Sequence, residues 1–142
     1  MSSVFTKIIE GELPGRFVWS DEQCAGFLSI APLSQGHVLV VPREEIDSWL
    51  DLPDELAEHL MTVCKTVGQA IDEVFSPKRV GLMIQGFEVP HAHLHVWPTN
   101  TIEEFDFDQV DKDPDPEVMD ETARKIRGAL VAAGHEAHVP QD

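Results

Sequence analysis

The chain has 142 residues, of which 42% are hydrophobic, and 26 acidic side chains against 10 basic ones give it a formal net charge of -16. This length suits one domain with its own core and is too short for two, and the charge argues against nucleic acid and anionic membrane surfaces as partners. No window approaches the run of about 20 apolar residues that spans a bilayer, so we expect a single domain over residues 1–142 that is soluble and cytoplasmic.

The amino-terminal part predicts a short helix and three strands. Apolar side chains at helical spacing begin at Val4 and stop before Gly11 and Pro14, which indicates a helix followed by a turn. Three strand-like segments follow: FVWSD, AGFLSI and GHVLVVP. The connections between them are too short for crossovers, so these strands should pair antiparallel. The unbroken apolar run of the third segment suits a strand buried on both faces.

The clearest periodicity predicts a long helix from Asp54 to Phe75, whose apolar residues fall on one stripe. They are Leu56, Leu60, Val63, Cys64, Val67, Ile71, Val74 and Phe75. The segments VGLMIQG and HAHLHVWP then predict two further strands. The expected fold class is α+β: a five-stranded antiparallel sheet with a short N-terminal helix, a long central helix and a C-terminal helix.

The carboxy-terminal part divides into an acidic stretch and a last helix. After a core of about residues 4–98, residues 99–115 are acidic and lack periodicity, which predicts a loop. Asp115 before Pro116 is typical of a helix start and Gly134 of a helix end, so we predict a helix over about residues 116–133. Its apolar stripe would be Val118, Thr122, Ile126, Leu130 and Ala133.

The two cysteines and three of the histidines have no spacing that indicates chemistry. Cys24 and Cys64 lie far apart in apolar patterns without a C-x-x-C or zinc spacing, so we interpret them as reduced core residues. Isolated histidines are most often structural, and this interpretation applies to His59, His135 and His138.

Three other histidines alternate in the stretch EVPHAHLHVWPTN. Successive side chains of a β-strand point to opposite faces, so His91, His93 and His95 would line one face about 7 Å apart. Strands favour β-branched and aromatic residues, and charged imidazoles repel one another, so packing alone explains this pattern poorly. The alternation therefore indicates a functional site.

Two kinds of chemistry are open to these side chains. A His-x-His pair can chelate zinc, copper or iron, with His37, Glu88 or His95 as a further ligand. Three ligands at every second position of a strand span about 13 Å, so one ion would explain at most two of the three histidines. In nucleophilic catalysis one imidazole attacks while its neighbours orient it, donate protons or bind the anion, which accounts for all three.

The stretch HAHLHVWP resembles the His-x-His-x-His followed by two apolar residues that defines the histidine triad (HIT) family. The similarity runs in order from about Val4 to Pro98, through the helix, the hairpin and the Gly-His before an apolar strand. Members of that family are nucleotide hydrolases and transferases that cut the bond between a nucleoside α-phosphate and its leaving group through a nucleotidylated histidine. The resemblance implies a HIT-like fold and this class of activity, without a cofactor.

By this resemblance four histidines are catalytic. His93 would be the nucleophile and His95 would hydrogen-bond the α-phosphate. The backbone and ring of His91 would fix the tautomer of His93, so that its free nitrogen faces phosphorus. His37, from QGHVLVVP, matches the fourth histidine of the family's site.

The same resemblance gives a nucleotide-binding set. Its members are Phe5, Ile8, Phe27, Ser29, Ile30, Gln85, Gly86, Phe87 and Glu88. The apolar ones match positions that hold the base and sugar, although core packing is an equally open interpretation of them. Ser29 stands where many members carry an acidic residue for the ribose hydroxyls, and a serine makes weaker hydrogen bonds than a carboxylate.

The loop before the triad departs from the family pattern. Members commonly carry Asn and then Gly-Gln-Ser or Gly-Gln-Thr, where this chain has Gln85, Gly86, Phe87 and Glu88. An ionised Glu88 would repel a polyphosphate, and a Glu88 whose pKa is raised by burial would protonate a leaving amine or alcohol. Both alternatives favour phosphoramidates or mononucleotidyl esters over dinucleoside polyphosphates.

Two further expectations come from the family. Some members hold a structural zinc through a Cys-x-x-Cys, a histidine after the central strand and one further histidine. This chain has Ser3, Thr6 and Glu45 at three of those positions, so we predict no metal site. Most members are homodimers with one continuous sheet, which implies a homodimer here.

The sequence thus favours a hydrolase acting on a purine nucleotide or nucleoside phosphoramidate through a nucleotidyl-histidine. The alternatives are a nucleotide-binding module with little turnover, a dinucleoside polyphosphate hydrolase, and a metal-dependent hydrolase built on His91, His93 and Glu88. Loss of activity with a chelator would distinguish the last from the others.

Overall fold

The computed structural model of the protein describes residues 2–141 and contains the helices and strands that the sequence predicts. In chain order they are α1 (Val4–Ile9), β1 (Phe17–Ser20), β2 (Cys24–Leu28), β3 (Val38–Pro42), α2 (Asp54–Phe75), β4 (Arg79–Met83), β5 (Leu94–Thr99) and α3 (Pro116–Ala132). Short 3-10 turns lie in several of the connections. None of the described helices has the length and apolar character needed to cross a membrane.

The strands form one antiparallel sheet in the order β1-β2-β3-β5-β4, which confirms the predicted five-stranded antiparallel sheet. β5 lies between β3 and β4, where His95 pairs with Leu39 on one side and with Met83 on the other. β3 is buried along its whole length because strands flank it on both sides and apolar groups cover both of its faces. The sheet therefore places a triad histidine in its interior, away from either edge.

Apolar side chains cover both faces of the sheet. The larger core lies between the sheet and the helices α2 and α3, and includes Val18, Val40, Leu60, Ile71, Ile126 and Leu130. The smaller core lies under α1 and consists of Phe5, Phe27, Leu39 and Val41. Burial of each such side chain contributes roughly 1.5–3 kcal/mol. The smaller core thus packs α1 on the face of the sheet opposite to α2.

The bounds of α2 are the predicted ones. Asp54 and Glu55 lie in its first turn, where carboxylates interact favourably with the partial positive charge of a helix N-terminus. The helix ends at Ser76, which adopts the left-handed conformation with φ of 47°. The stripe from Leu56 to Ile71 is buried against the sheet, as its spacing predicts.

The apolar stripe of α3 differs from the predicted one at its two ends. Thr122, Ile126 and Leu130 are buried, but Val118 is 43% exposed and Ala133 is also exposed. Met119 takes the inward position in the first turn, because a helix advances 100° per residue and one step moves a side chain to another face. The predicted inclusion of Val118 and Ala133 was therefore wrong.

We expect Asp115→Ala to lower the free energy of unfolding by about 1 kcal/mol, the usual contribution of an N-cap. The Asp115 carboxylate accepts a hydrogen bond of 2.9 Å from the backbone N–H of Glu117, with Pro116 at the first position of α3. Urea unfolding followed by circular dichroism would measure the change. Asp113→Ala removes the same charge without removing this cap, and an equal effect of both substitutions would contradict the capping role.

The acidic segment of residues 101–111 packs against the protein as two 3-10 turns, Ile102–Phe105 and Phe107–Gln109. The ring of Phe105 lies edge-on to that of Trp97, with centroids 4.7 Å apart. The backbone N–H of Asp111 donates to the carbonyl oxygen of Pro32 at 3.0 Å. This segment therefore forms short turns between β5 and α3, and the contacts of Phe105 and Asp111 hold it against the protein.

Candidate active site

A cavity of about 620 Å³ opens between α1, the end of β2, β5 and segment 101–111. This volume lies within the range of small-molecule sites in proteins. Its walls are mostly apolar and include Val4, Phe5, Ile8, Phe27, Ile30, Leu39, Val89, Phe107 and Val110. The polar side chains in the wall are Arg16, Ser29, Glu88, His93, His95 and Asp120.

The sequence predicts that the three alternating histidines lie on one face of one strand, but the structure shows that they do not. β5 begins at Leu94, so only His95 lies within it, and His91 and His93 precede it. The reason is a backbone hydrogen bond of 2.6 Å from the N–H of Ala92 to the carbonyl oxygen of Ile46, outside the strand ladder. His93 and His95 line the cavity with ring centroids 4.9 Å apart, whereas His91 is fully buried behind them.

The position of the proton on His93 follows from its hydrogen bond. Nδ1 of His93 lies 2.7 Å from the carbonyl oxygen of His91, and a carbonyl oxygen can only accept. Nδ1 therefore carries the hydrogen, and Nε2 of the neutral ring keeps its lone pair. Burial lowers the pKa of His93, which favours this neutral form at neutral pH.

The proton on His95 is on the opposite nitrogen. The N–H of Leu33 donates to Nδ1 of His37 at 2.9 Å, so Nε2 of His37 carries the hydrogen and donates to Nδ1 of His95 at 2.9 Å. Nε2 of His95 must then be an N–H donor. It is buried, and among residues 2–141 it has no hydrogen-bond partner. Because such orphan donors are costly, they are expected where a ligand supplies the acceptor.

Burial and the neighbouring histidines lower the pKa of His37 to about 3 and that of His95 to about 4. Both rings are therefore neutral at neutral pH, and their tautomers are those that the hydrogen bonds define. His93, whose Nε2 has a free lone pair, and His95, whose Nε2 is a donor, thus both line the same cavity. This combination can attack an electrophilic centre and hold an anionic oxygen on it.

We expect the free energy of unfolding to be constant above about pH 7.5 and to fall as the pH is lowered toward 5. In that range the unfolded chain protonates its histidines near their ordinary pKa of about 6.5, while folded His37 and His95 remain neutral. The unfolded state then binds more protons and is favoured by acid. Urea midpoints from pH 8 to pH 5 would measure this slope, and His37→Gln should reduce it. An unchanged slope in the variant would contradict the assignment.

The aromatic and aliphatic residues of the predicted binding set have two structural environments. The ring of Phe5 lies 4.7 Å from that of His93 and 5.8 Å from that of Phe27, so these phenylalanines form the smaller core and also the cavity wall. These two phenylalanines can therefore pack in the core and also contact a ligand in the cavity. Ile30 is 79% exposed at the cavity surface, and the hydroxyl of Ser29 accepts from the N–H of Ala31 at 3.2 Å.

The loop before the triad brings only part of the predicted set to the cavity. Glu88 lines it, but Gln85, Gly86 and Phe87 do not, and the Phe87 side chain is 91% exposed. The Gln85 side chain instead accepts from the N–H of Phe87 at 2.7 Å. Glu88 is exposed to solvent, so the burial on which its role as a general acid depended is not present.

Two features of the cavity were missed in the sequence. The ring of Phe107 lies edge-on to His95 with centroids 5.0 Å apart and covers that side of the site. Arg16 donates from Nε to a carboxylate oxygen of Asp120 at 2.7 Å, which links the β1 side of the cavity to α3. The aromatic residues of FDFD in an otherwise acidic stretch were the available signal for the first feature, and no local pattern indicates the second.

Three positions that hold zinc in some histidine triad proteins, those of Ser3, Thr6 and Glu45, lie in a hydrogen-bonded cluster with His91 here. Ser3, Thr6, Glu45 and His91 contact one another at 2.6–2.8 Å. Structural zinc takes thiolate, imidazole and carboxylate ligands, so two hydroxyl groups do not fit it. Both ring nitrogens of His91 are already in hydrogen bonds, to Ser3 and to the carbonyl of Pro42. His91 is therefore unsuited to the metal-dependent alternative as well.

Within the described range, one other cluster combines metal-ligating groups: Asp21, Cys24 and His59. The Asp21 carboxylate already accepts hydrogen bonds from Trp19, His59 and two backbone N–H groups. Burial raises the pKa of the Cys24 thiol strongly, which opposes the thiolate that a metal needs. This cluster is suited to hydrogen bonding. Cys24 and Cys64 are free and buried, which confirms the prediction of reduced core cysteines.

The chain is similar in sequence and in fold to several known proteins. A HIT-like protein of Borreliella burgdorferi is 36% identical over 116 residues, covering 77% of this chain and 84% of the relative. The adenosine 5′-monophosphoramidase of Schizosaccharomyces pombe is 33% identical over 99 residues, which cover 69% and 74% of the two chains. A zinc-bound histidine triad family protein of Mycobacterium smegmatis superposes with a TM-score of 0.80 at 29% identity, over 94% and 96% of the chains.

The family match covers the triad and most of the sheet. The family model described as the HIT domain matches residues 10–102, which include the histidines at the cavity and β1 to β5. Together with the relatives, this match shows that the chain belongs to the histidine triad family.

Proposed function

We propose that the protein is a nucleotide-binding hydrolase that cleaves the bond between a nucleoside α-phosphate and its leaving group through a covalent nucleotidyl-histidine on His93. The observation that carries the proposal is the pair of opposite tautomers in one cavity. The hydrogen bonds leave a lone pair on Nε2 of His93 and place an N–H on Nε2 of His95 that has no partner among residues 2–141. An imidazole nucleophile and a donor for a phosphate oxygen are what this reaction requires.

The reaction uses these groups in two steps. Nε2 of His93 attacks phosphorus, the bond to the leaving amine or alcohol breaks, and that group keeps the electron pair and takes a proton from solvent, which the attacking water gives back in the second step. The Nδ1–H of His93 keeps its hydrogen bond to the carbonyl oxygen of His91, and this bond stabilises the charged intermediate. Water then attacks phosphorus, the bond to Nε2 breaks, and its electron pair returns to the ring. The one water consumed supplies the hydroxyl of the nucleotide and the proton of the leaving group.

The cavity wall supports a phosphoramidate or nucleotidyl ester as the substrate class. Phe5, Ile8 and Phe27 provide an apolar wall suited to a purine base. Arg16 is the one cationic side chain of the described wall and is paired with Asp120, while Glu88 is acidic. Such a site binds a polyphosphate poorly, since added negative charge meets carboxylates. The monophosphoramidase activity named for the S. pombe relative is consistent with this class.

Release of AMP from adenosine 5′-phosphoramidate, an adenylyl ester and diadenosine tetraphosphate tests the proposal, each measured with and without EDTA. The expected result is chelator-resistant release from the first two at a rate well above that from the third. Preferential cleavage of the tetraphosphate would favour the dinucleoside polyphosphate hydrolase. Binding of AMP without release from any of the three would favour a nucleotide-binding module.

We further propose that two copies assemble through β4. This strand is an edge of the sheet, so in the described chain one side of its backbone is unpaired. Leu82 on β4 is 42% exposed and Met61 on α2 is 53% exposed. An unpaired edge beside exposed apolar groups favours pairing with a second copy. Light scattering after size exclusion should give twice the monomer mass of 15.8 kDa.

A further inference from the structure

We infer that Ser3 is a positioning residue for the nucleophile: it holds the ring of His91 and so fixes the carbonyl group that orients His93. The inference rests on the proposed function for its kinetic consequence. Its structural part is a chain of hydrogen bonds from Glu45 through Ser3 and His91 to His93. Neither Ser3 nor Glu45 lines the cavity, so both act through other residues.

The His91 ring is held at both nitrogens. It is completely buried, and Nε2 lies 2.7 Å from the carbonyl oxygen of Pro42, which can only accept. Nε2 therefore carries the hydrogen, and in the neutral form of the ring Nδ1 is an acceptor that needs a donor. The Ser3 hydroxyl oxygen lies 2.7 Å from that Nδ1 and is the group that supplies the hydrogen.

Ser3 is itself fixed by its surroundings. Its backbone N–H donates to a carboxylate oxygen of Glu45 at 2.6 Å, and the Thr6 hydroxyl donates to the same oxygen at 2.8 Å. The Ser3 hydroxyl accepts from the N–H of Thr6 at 3.1 Å as the N-cap of α1. The Ser3 hydroxyl oxygen lies closer to Nδ1 of His91, at 2.7 Å, than to the Thr6 hydroxyl oxygen, at 3.3 Å. The cluster thus orients the Ser3 hydroxyl group toward Nδ1 of His91.

The consequence reaches the nucleophile through the backbone. With its ring held at both ends, His91 presents its carbonyl oxygen 2.7 Å from Nδ1 of His93. Removal of the Ser3 hydroxyl leaves a buried acceptor without a partner, which favours movement of the ring and of the attached backbone. His93 then populates the tautomer with the hydrogen on Nε2, and that tautomer has no lone pair for attack.

Three substitutions of Ser3 separate this role from helix capping. Ser3→Thr keeps both the cap and the hydroxyl donor. Ser3→Gly keeps a residue type that helix N-termini accept well but has no hydroxyl for His91, and Ser3→Ala removes both functions. We expect kcat for adenosine 5′-phosphoramidate to fall at least about tenfold in the Gly and Ala variants, as when a catalytic histidine loses its correct tautomer. The Thr variant should stay within about twofold of the native protein, and KM should change little in all three.

Nitrogen-15 NMR of the histidine rings provides a readout that capping alone would not change. In the native protein and the Thr variant we expect His93 as the pure Nδ1–H tautomer, and in the Gly and Ala variants a mixture of both tautomers. A native His93 signature together with native kcat in folded Ser3→Gly would overturn the inference. If the native protein shows no turnover, the proposed function fails, but the tautomer spectra still decide whether Ser3 orients His93.

Discussion

Replacing His93 with glycine is expected to lower kcat for release of nucleoside monophosphate by at least about 10⁴-fold, because the substitution removes the attacking group itself. Nε2 of His93 is the unprotonated ring nitrogen that hydrogen bonding leaves available in the cavity. Intact-mass spectrometry of the native protein, quenched during turnover, should show one added nucleotidyl group. The glycine variant should show none.

The glycine variant offers a further control, because it leaves a space the size of the lost ring. Free imidazole should occupy that space and restore part of the turnover, whereas it should not affect the native protein. His135→Gly, which changes a histidine outside the cavity wall, should keep native kcat. Full activity in folded His93→Gly would exclude the nucleotidyl-histidine on this residue.

Gly36→Ala is expected to lower the free energy of unfolding by about 2–4 kcal/mol, the sum of backbone strain and overpacking. Gly36 has a φ of 104°, and a Cβ atom there would lie 2.6 Å from Cε2 of Phe75. The glycine directly precedes His37, whose ring donates to His95, so activity should fall with stability. Thermal and urea unfolding would measure the first effect, and release of nucleotide the second.

The two contributions can be separated with glycines already present in the chain. Gly11 also has a positive φ, 85°, but no atom lies within 4 Å of a Cβ built on it. Gly11→Ala therefore measures the backbone cost alone, expected at about 1 kcal/mol. Adding Phe75→Leu to Gly36→Ala should recover part of the difference. Equal costs at both glycines would show that contact with Phe75 contributes nothing.

The helices and strands that bury an apolar face against the core were predicted from the spacing of their apolar residues. The stripe of α2 defined its exact bounds, because every third or fourth residue between Leu56 and Ile71 packs on the sheet. At the first turn of α3, Val118 and Met119 are both apolar, so the pattern could not decide which one faces inward. The distinction depends on how α3 docks, and docking is set by residues distant in sequence.

The sequence predicted which histidines belong to the candidate site better than it predicted how they are arranged. Alternation brought His93 and His95 together correctly, but it also placed His91 beside them in one strand. The contact of Ala92 with Ile46, which ends the strand ladder there, joins residues far apart in the chain and leaves no local signal. The position of Phe107 over His95 has the same origin, since only the folded chain brings segment 101–111 to the cavity.

The pairing of His95 between Leu39 and Met83 has a consequence for which insertions and deletions the chain can accept. Side chains alternate along β5, so a shift of one residue in this strand would turn His95 toward α2 and bring Leu94 or Val96 into the cavity. A change of length within residues 85–90 precedes the strand and leaves its register intact. The loop before the histidines can therefore accept changes of length, while the strand that carries His95 admits only substitutions.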